Sequence, residues 1–108
     1  MTYLKAEQDF VNAFIERVRE KIEVLDSNRD VEVTIRLSYP LRNDNPSVHI
    51  EFVSSKILAD LGFWSGKTYQ VGAYHTEREE MLFGHAGYFN ETSEIEIYLD
   101  QIIALYLD

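Results

Sequence analysis

The chain of 108 residues contains no cysteine. That absence excludes a disulfide scaffold, a thiol nucleophile and every zinc site built on thiolate, and it fits a reducing compartment. Also missing is any apolar run near the roughly 20 residues that a membrane-spanning helix needs. No basic segment leading into an apolar one opens the chain, so the sequence reads as a soluble, cytoplasmic protein with no membrane attachment. The common chemical signatures are absent too: GxSxG, the P-loop and the dinucleotide fingerprint. One close glycine pair, GHAG at residues 84–87, lacks the lysine of a phosphate cradle. His49, His75 and His85 form no HExxH or other short metal-binding pair and read as surface or turn residues. The sequence therefore points to no metal, no cofactor and no enzymatic activity.

Positive charge is scarce as well. Ten bases stand against nineteen acids, a formal net charge of −9. The imbalance is concentrated: residues 77–108 hold Glu77, Glu79, Glu80, Glu91, Glu94, Glu96, Asp100 and Asp108 against Arg78 alone, a net −7, which leaves −2 for residues 1–76. Such a field repels nucleic acid and anionic lipid and speeds encounter with a basic protein, although an acidic surface also serves solubility alone. The bases Arg17, Arg19, Lys21, Arg36 and Arg42 are diluted by acids and form no stripe for phosphate.

What the sequence does contain is clear periodicity. Over residues 4–25, Phe10, Phe14, Val18 and Ile22, with Val11, Ile15 and Leu25, make the apolar stripe of an amphipathic helix, which Asp26, Ser27 and Asn28 stop. Val31, Val33, Ile35, Leu37 and Tyr39 then alternate with polar residues, the period of a strand with one buried face, until Pro40. Residues 42–46 form a turn, and residues 47–53 resume the sheet with Val48, Ile50 and Phe52 on one side. From Lys56 to Trp64 a strand fits better than a short helix. Trp64-Ser65-Gly66-Lys67 looks like a hairpin connection, and Tyr69, Val71 and Ala73 answer with the same alternation. Residues 76–80 are a turn, Met81 to Phe83 a short strand, and Gly84, Gly87 and Asn90 a break. Ser93 with Glu96 suggests a capping box for a closing helix over residues 93–107, with Ile95, Leu99, Ile102, Ile103 and Tyr106 as its stripe.

The expected architecture is one domain, residues 1–108, of α+β class: an antiparallel sheet of four or five strands with N-terminal and C-terminal helices packed on one face. At this length such a domain hides roughly two thirds of its extended surface. The helices leave Leu58, Trp64 and Tyr74 on the other face, with His49 and Gln70 beside them. Either that cluster is an interaction surface or the segment 84–92, carrying Tyr88 and Phe89, folds over it. Glu51 and Asp60 fall near the centre of adjacent strands on this face. They are the carboxylates to inspect for raised pKa values, with solvation of a sticky surface as their simpler role.

The stretch IEFVSSKILADLGFWSGKTYQVGAY, followed by EEMLFGH and an acidic, apolar-periodic closing helix, resembles the TriTu family of bacterial immunity proteins. The likeness spans about residues 30–107 and includes the W-x-G turn at Trp64 to Gly66. It implies a small cytoplasmic protein that neutralises a cognate toxin of a contact-dependent or other polymorphic system by direct binding, with no catalytic residues. With the charge reading, it makes Glu77, Glu79, Glu80, Glu91, Glu94, Leu58, Trp64 and Tyr74 the candidate partner-binding residues and a basic, nuclease-like toxin the candidate partner. The other reading is an acidic adaptor or homodimer acting through its sheet face.

Overall fold

The computed structural model describes residues 5–25, 30–38, 47–64 and 67–107, with side chains described from residue 12 onward in the first helix. Helix α1 (Lys5–Ile22) runs into a 3-10 turn (Glu23–Leu25). Five strands follow: β1 (Glu32–Ser38), β2 (Ser47–Val53), β3 (Ile57–Trp64), β4 (Thr68–His75) and β5 (Glu80–Tyr88). Helix α2 (Thr92–Tyr106) closes the chain. The strands pair antiparallel in sequence order, β1-β2-β3-β4-β5, a plain meander. The fold is α+β, with both helices on one face of a five-stranded sheet.

Alternation explains the layering. Val48, Ile50 and Phe52 lie opposite Phe63, Leu61 and Ala59, and the last two lie opposite Val71 and Ala73, so one face of the three central strands is continuously apolar. All eight of these side chains are buried with Phe14 and Val18 of α1 and Ile95, Leu99, Ile102 and Tyr106 of α2. Phe14 meets Phe63 edge to face at 4.4 Å, and Phe52 stacks on Tyr106 at 5.9 Å. An odd number of strands between the helices sends α2 in the same direction as α1. The helix pairing shows it: Arg17 meets Glu96 at 2.6 Å, and one turn further along both helices Lys21 meets Asp100 at 2.8 Å.

Several local expectations change. The last strand is nine residues long, from Glu80 to Tyr88, not Met81 to Phe83. Gly84 and Gly87 lie inside it, opposite Gly72 and Tyr69, because a strand edge tolerates glycine where ladder pairing continues. A bulge between Ala73 and Tyr74 absorbs the mismatch at its start. Segment 84–92 therefore does not fold over the far face: Phe89 turns into the main core, 3% exposed, while Tyr88 stands 84% exposed. The capping box lies two residues earlier than Ser93 and Glu96. Glu91 is the N-cap, and Glu94 reaches back to the amides of Asn90 and Glu91 at 2.6 and 2.7 Å. Ser93 falls inside the first turn, where it cannot cap, and Glu96 is taken by Arg17.

On β1, Val33 and Ile35 are only partly buried and Leu37 is 46% exposed, since an edge strand extends past the helices that cover the centre. The hairpin after Trp64 closes with a bond from the Lys67 amide to the Trp64 carbonyl at 2.9 Å. Its left-handed residue among those described is Lys67, φ 73°. Tyr39, Pro40, the 42–46 turn, the 26–28 stop, Ser65 and Gly66 lie outside the described residues, as do the side chains of Phe10 and Val11.

Candidate functional site, the uncovered sheet face

Strand register turns the far face of the sheet into a map of cross-strand rows. One row runs Val53, Leu58, Tyr74, Met81 across β2 to β5. The next runs Thr34, Glu51, Asp60, Gly72, Gly84, and the third Arg36, His49, Gly62, Gln70, Ala86. The first row is an apolar stripe, open to solvent at Leu58 (41% exposed) and Met81 (62% exposed). In the second row the side chains shrink from carboxylates to bare backbone. The two glycines make a low floor between the stripe and the third row, over which the Met81 methyl reaches.

This relief produces two adjoining depressions. One, of about 390 Å³, is lined by Val53, Leu58, Tyr74 and Met81 with Glu51 and Asp60. The other, of about 380 Å³, runs on past Gly72 and Gly84 to Gln70 and Ala86. Asp60, Gly72 and Met81 line both, so the pair forms one saddle with Asp60 at its middle. Desolvation against these walls pushes the Asp60 carboxyl above its ordinary range; the His49 ring pulls it down and the neighbouring Glu51 pushes it up. Glu51 is engaged by Arg36 at 3.2 Å. Asp60 has no hydrogen-bond or ion-pair partner among the described residues. His49 lies over Gly62, where an added Cβ would come within 2.9 Å of its Nδ1, and stands edge-on to Trp64 at 5.3 Å.

The candidate residues divide between two ends of the sheet. Leu58 and Tyr74 are direct cross-strand partners, and at the same end Glu77 and Glu79 belong to the β4–β5 turn and Glu80 opens β5. That turn is built by a bond from the Arg78 amide to His75 Nδ1 at 3.2 Å and by Glu79 in the left-handed region, φ 52°. Arg78 pairs with Glu80 at 3.0 Å, while Glu77 and Glu79 face solvent. Trp64 lies six residues along β3 from Leu58, roughly 20 Å away at about 3.3 Å per residue, and is half-buried rather than prominent. Glu91 and Glu94 are at that distant end, and Glu94 is occupied in capping α2. Its two backbone donors hold its carboxyl below the ordinary glutamate range.

The acidic C-terminal third is thus two surfaces. Glu96 and Asp100 tie the helix layer together, and Glu77 and Glu79 flank the open sheet face. Val53 and Met81 complete the apolar stripe and were absent from the sequence candidates. Pairing the strands in register, with Gly72 opposite Gly84, is the signal that would have exposed both them and the saddle. Among the described residues no group of three or more histidines and carboxylates is placed to hold a metal ion, and no helix is long and apolar enough to cross a membrane. In comparisons with known proteins, no family model matches the chain and no curated protein matches its sequence.

Proposed function

We propose that this chain is an immunity-type inhibitor that binds one cognate bacterial toxin in the cytoplasm, a basic, nuclease-like protein, and neutralises it by occlusion. The observation that carries this reading is the sheet face left bare by both helices. On it, the Val53–Leu58–Tyr74–Met81 stripe lies beside the acidic turn at Glu77 and Glu79. Apolar and aromatic side chains in the centre of an interface supply most of its affinity, while peripheral charge raises the rate of encounter. A toxin that grips phosphate needs a basic groove, to which carboxylates are complementary. Co-purification from the native cell tests the reading. The captured protein should be stoichiometric, basic, harmful when expressed alone and neutralised on co-expression, and Leu58→Ala with Tyr74→Ala should abolish capture while the fold is retained. Capture that survives both substitutions, or a captured protein without toxicity, contradicts it.

A second reading is supported by β5, an edge strand with no lysine, aspartate, glutamate or proline from Met81 to Tyr88. Edges are ordinarily guarded by such residues, so an unguarded one suits pairing with a second copy. Sedimentation over a wide concentration range separates the two, since only this reading expects a dimer of the isolated protein.

A further inference from the structure

We infer that the saddle around Asp60 is the seat for one arginine side chain of a protein partner. This deepens the reading of the open face as a docking surface and rests on it. Three features of the saddle specify the occupant. Its floor is low at Gly72 and Gly84 and is covered there by the Met81 methyl, which lies 3.7 and 3.5 Å from where their Cβ atoms would be, so an inserted side chain rests on a flexible thioether beside the carboxylate. Its walls, Leu58, Tyr74 and Met81, suit an aliphatic stem, and Tyr74 puts an aromatic ring among them. At the junction of the two depressions stands a single carboxylate, that of Asp60, with no hydrogen-bond or ion-pair partner among the described residues, whereas its neighbour Glu51 already has Arg36.

Complementarity therefore asks for one cation with a long apolar stem, and a guanidinium meets a carboxylate through two parallel N–H···O bonds. Desolvation on docking would strengthen that contact, since the partner would cover the exposed Asp60 carboxylate together with the guanidinium. Each depression is at the small end of ligand pockets, which run from about 300 to 1,000 Å³.

The test uses the isolated protein and no toxin. ¹⁵N-labelled protein is titrated with N-acetyl-arginine amide, N-acetyl-lysine amide and N-acetyl-norleucine amide while backbone amide shifts are followed. The arginine derivative should give saturable shifts at Asp60, Gly72, Met81 and Gly84, the lysine derivative should bind more weakly, and the norleucine derivative should give none. Asp60→Asn should weaken the arginine derivative about tenfold, the effect of one charge-assisted contact. Gly72→Ala, which raises the floor while retaining the carboxylate, should weaken it as well. An added Cβ at Gly72 meets Asp60 Oδ1 at 3.5 Å and Met81 Cε at 3.7 Å, ordinary van der Waals contact, so the alanine variant is expected to fold.

Absence of saturable shifts, shifts confined to the helix layer, equal binding by lysine or norleucine, or full affinity in either variant overturns the assignment. Toxin capture by Leu58 and Tyr74 variants is a separate experiment. The saddle can thus fail while the open-face reading stands, and the reverse is equally visible.

Discussion

At the scale of single residues, the side chains divide cleanly between those that hold the fold and those that do not. Phe14 is 1% exposed and packs edge to face on Phe63. Phe14→Ala is expected to cost about 3 to 5 kcal/mol in chemical denaturation, since the cavity adds to the lost transfer energy. Tyr106 is buried against Phe52 and donates its hydroxyl to the carbonyl of Ile57 at 3.1 Å. Burial pushes its pKa up to about 12, from an ordinary 10.0. The raised value means that the folded state holds the phenolic proton more tightly than the unfolded one. Its contribution is whole below pH 10 and is lost as pH rises to about 12. Tyr106→Phe should therefore lose about 1 kcal/mol at neutral pH and flatten the alkaline limb of a stability-against-pH curve. Asp60 has the opposite character. Its raised pKa marks an ionised group that folding penalises, so Asp60→Asn should leave the thermal midpoint unchanged or higher. A drop of several degrees would show that Asp60 has a structural role.

At the scale of elements, legibility followed periodicity. Both helices and the four strands from β1 to β4 are visible as changes between a period of 3.6 and a period of two, including β3, where the hairpin-like Trp64–Lys67 and the answering alternation of Tyr69, Val71 and Ala73 favour a strand over a helix. The sequence shortens β5 because Gly84 and Gly87 look like breakers. In a ladder, though, their pairing with Gly72 and Tyr69 compensates for weak intrinsic preference. The capping box was displaced because S-x-x-E and E-x-x-E overlap at Ser93 and Glu91, and only the backbone decides which residue has non-helical geometry; Glu91 has φ −130° and ψ 150°. The saddle was the least legible feature, since it arises from register across four strands that no local pattern encodes. One test belongs at this scale. Glu94→Gln should weaken the start of α2, because the carboxylate that receives two backbone amides loses its charge. With the Glu94 pKa lowered in the fold, the wild-type advantage should be present above the ordinary value of 4.5 and fade as pH falls below it. Amide exchange at residues 92–96, compared between the two proteins, reads this directly.

At the scale of the whole molecule, the net charge of −9 is not a uniform coat. Glu96 and Asp100 of the helix layer are matched by Arg17 and Lys21, whereas Glu77 and Glu79, without an ion-pair partner among the described residues, border the apolar stripe. The sequence could report the sum but not this division, because Glu96 and Asp100 find their cations 79 residues away in the chain. The central claim is that the bare sheet face and its acidic border receive a basic partner. The most direct measurement is the association rate of the captured partner with wild type and with the Glu77→Lys, Glu79→Lys, Glu80→Lys triple variant, at low and at physiological salt. The account predicts a rate at least tenfold slower for the variant at low salt, with the two converging as screening shortens to about 8 Å. Equal rates at low salt would contradict it.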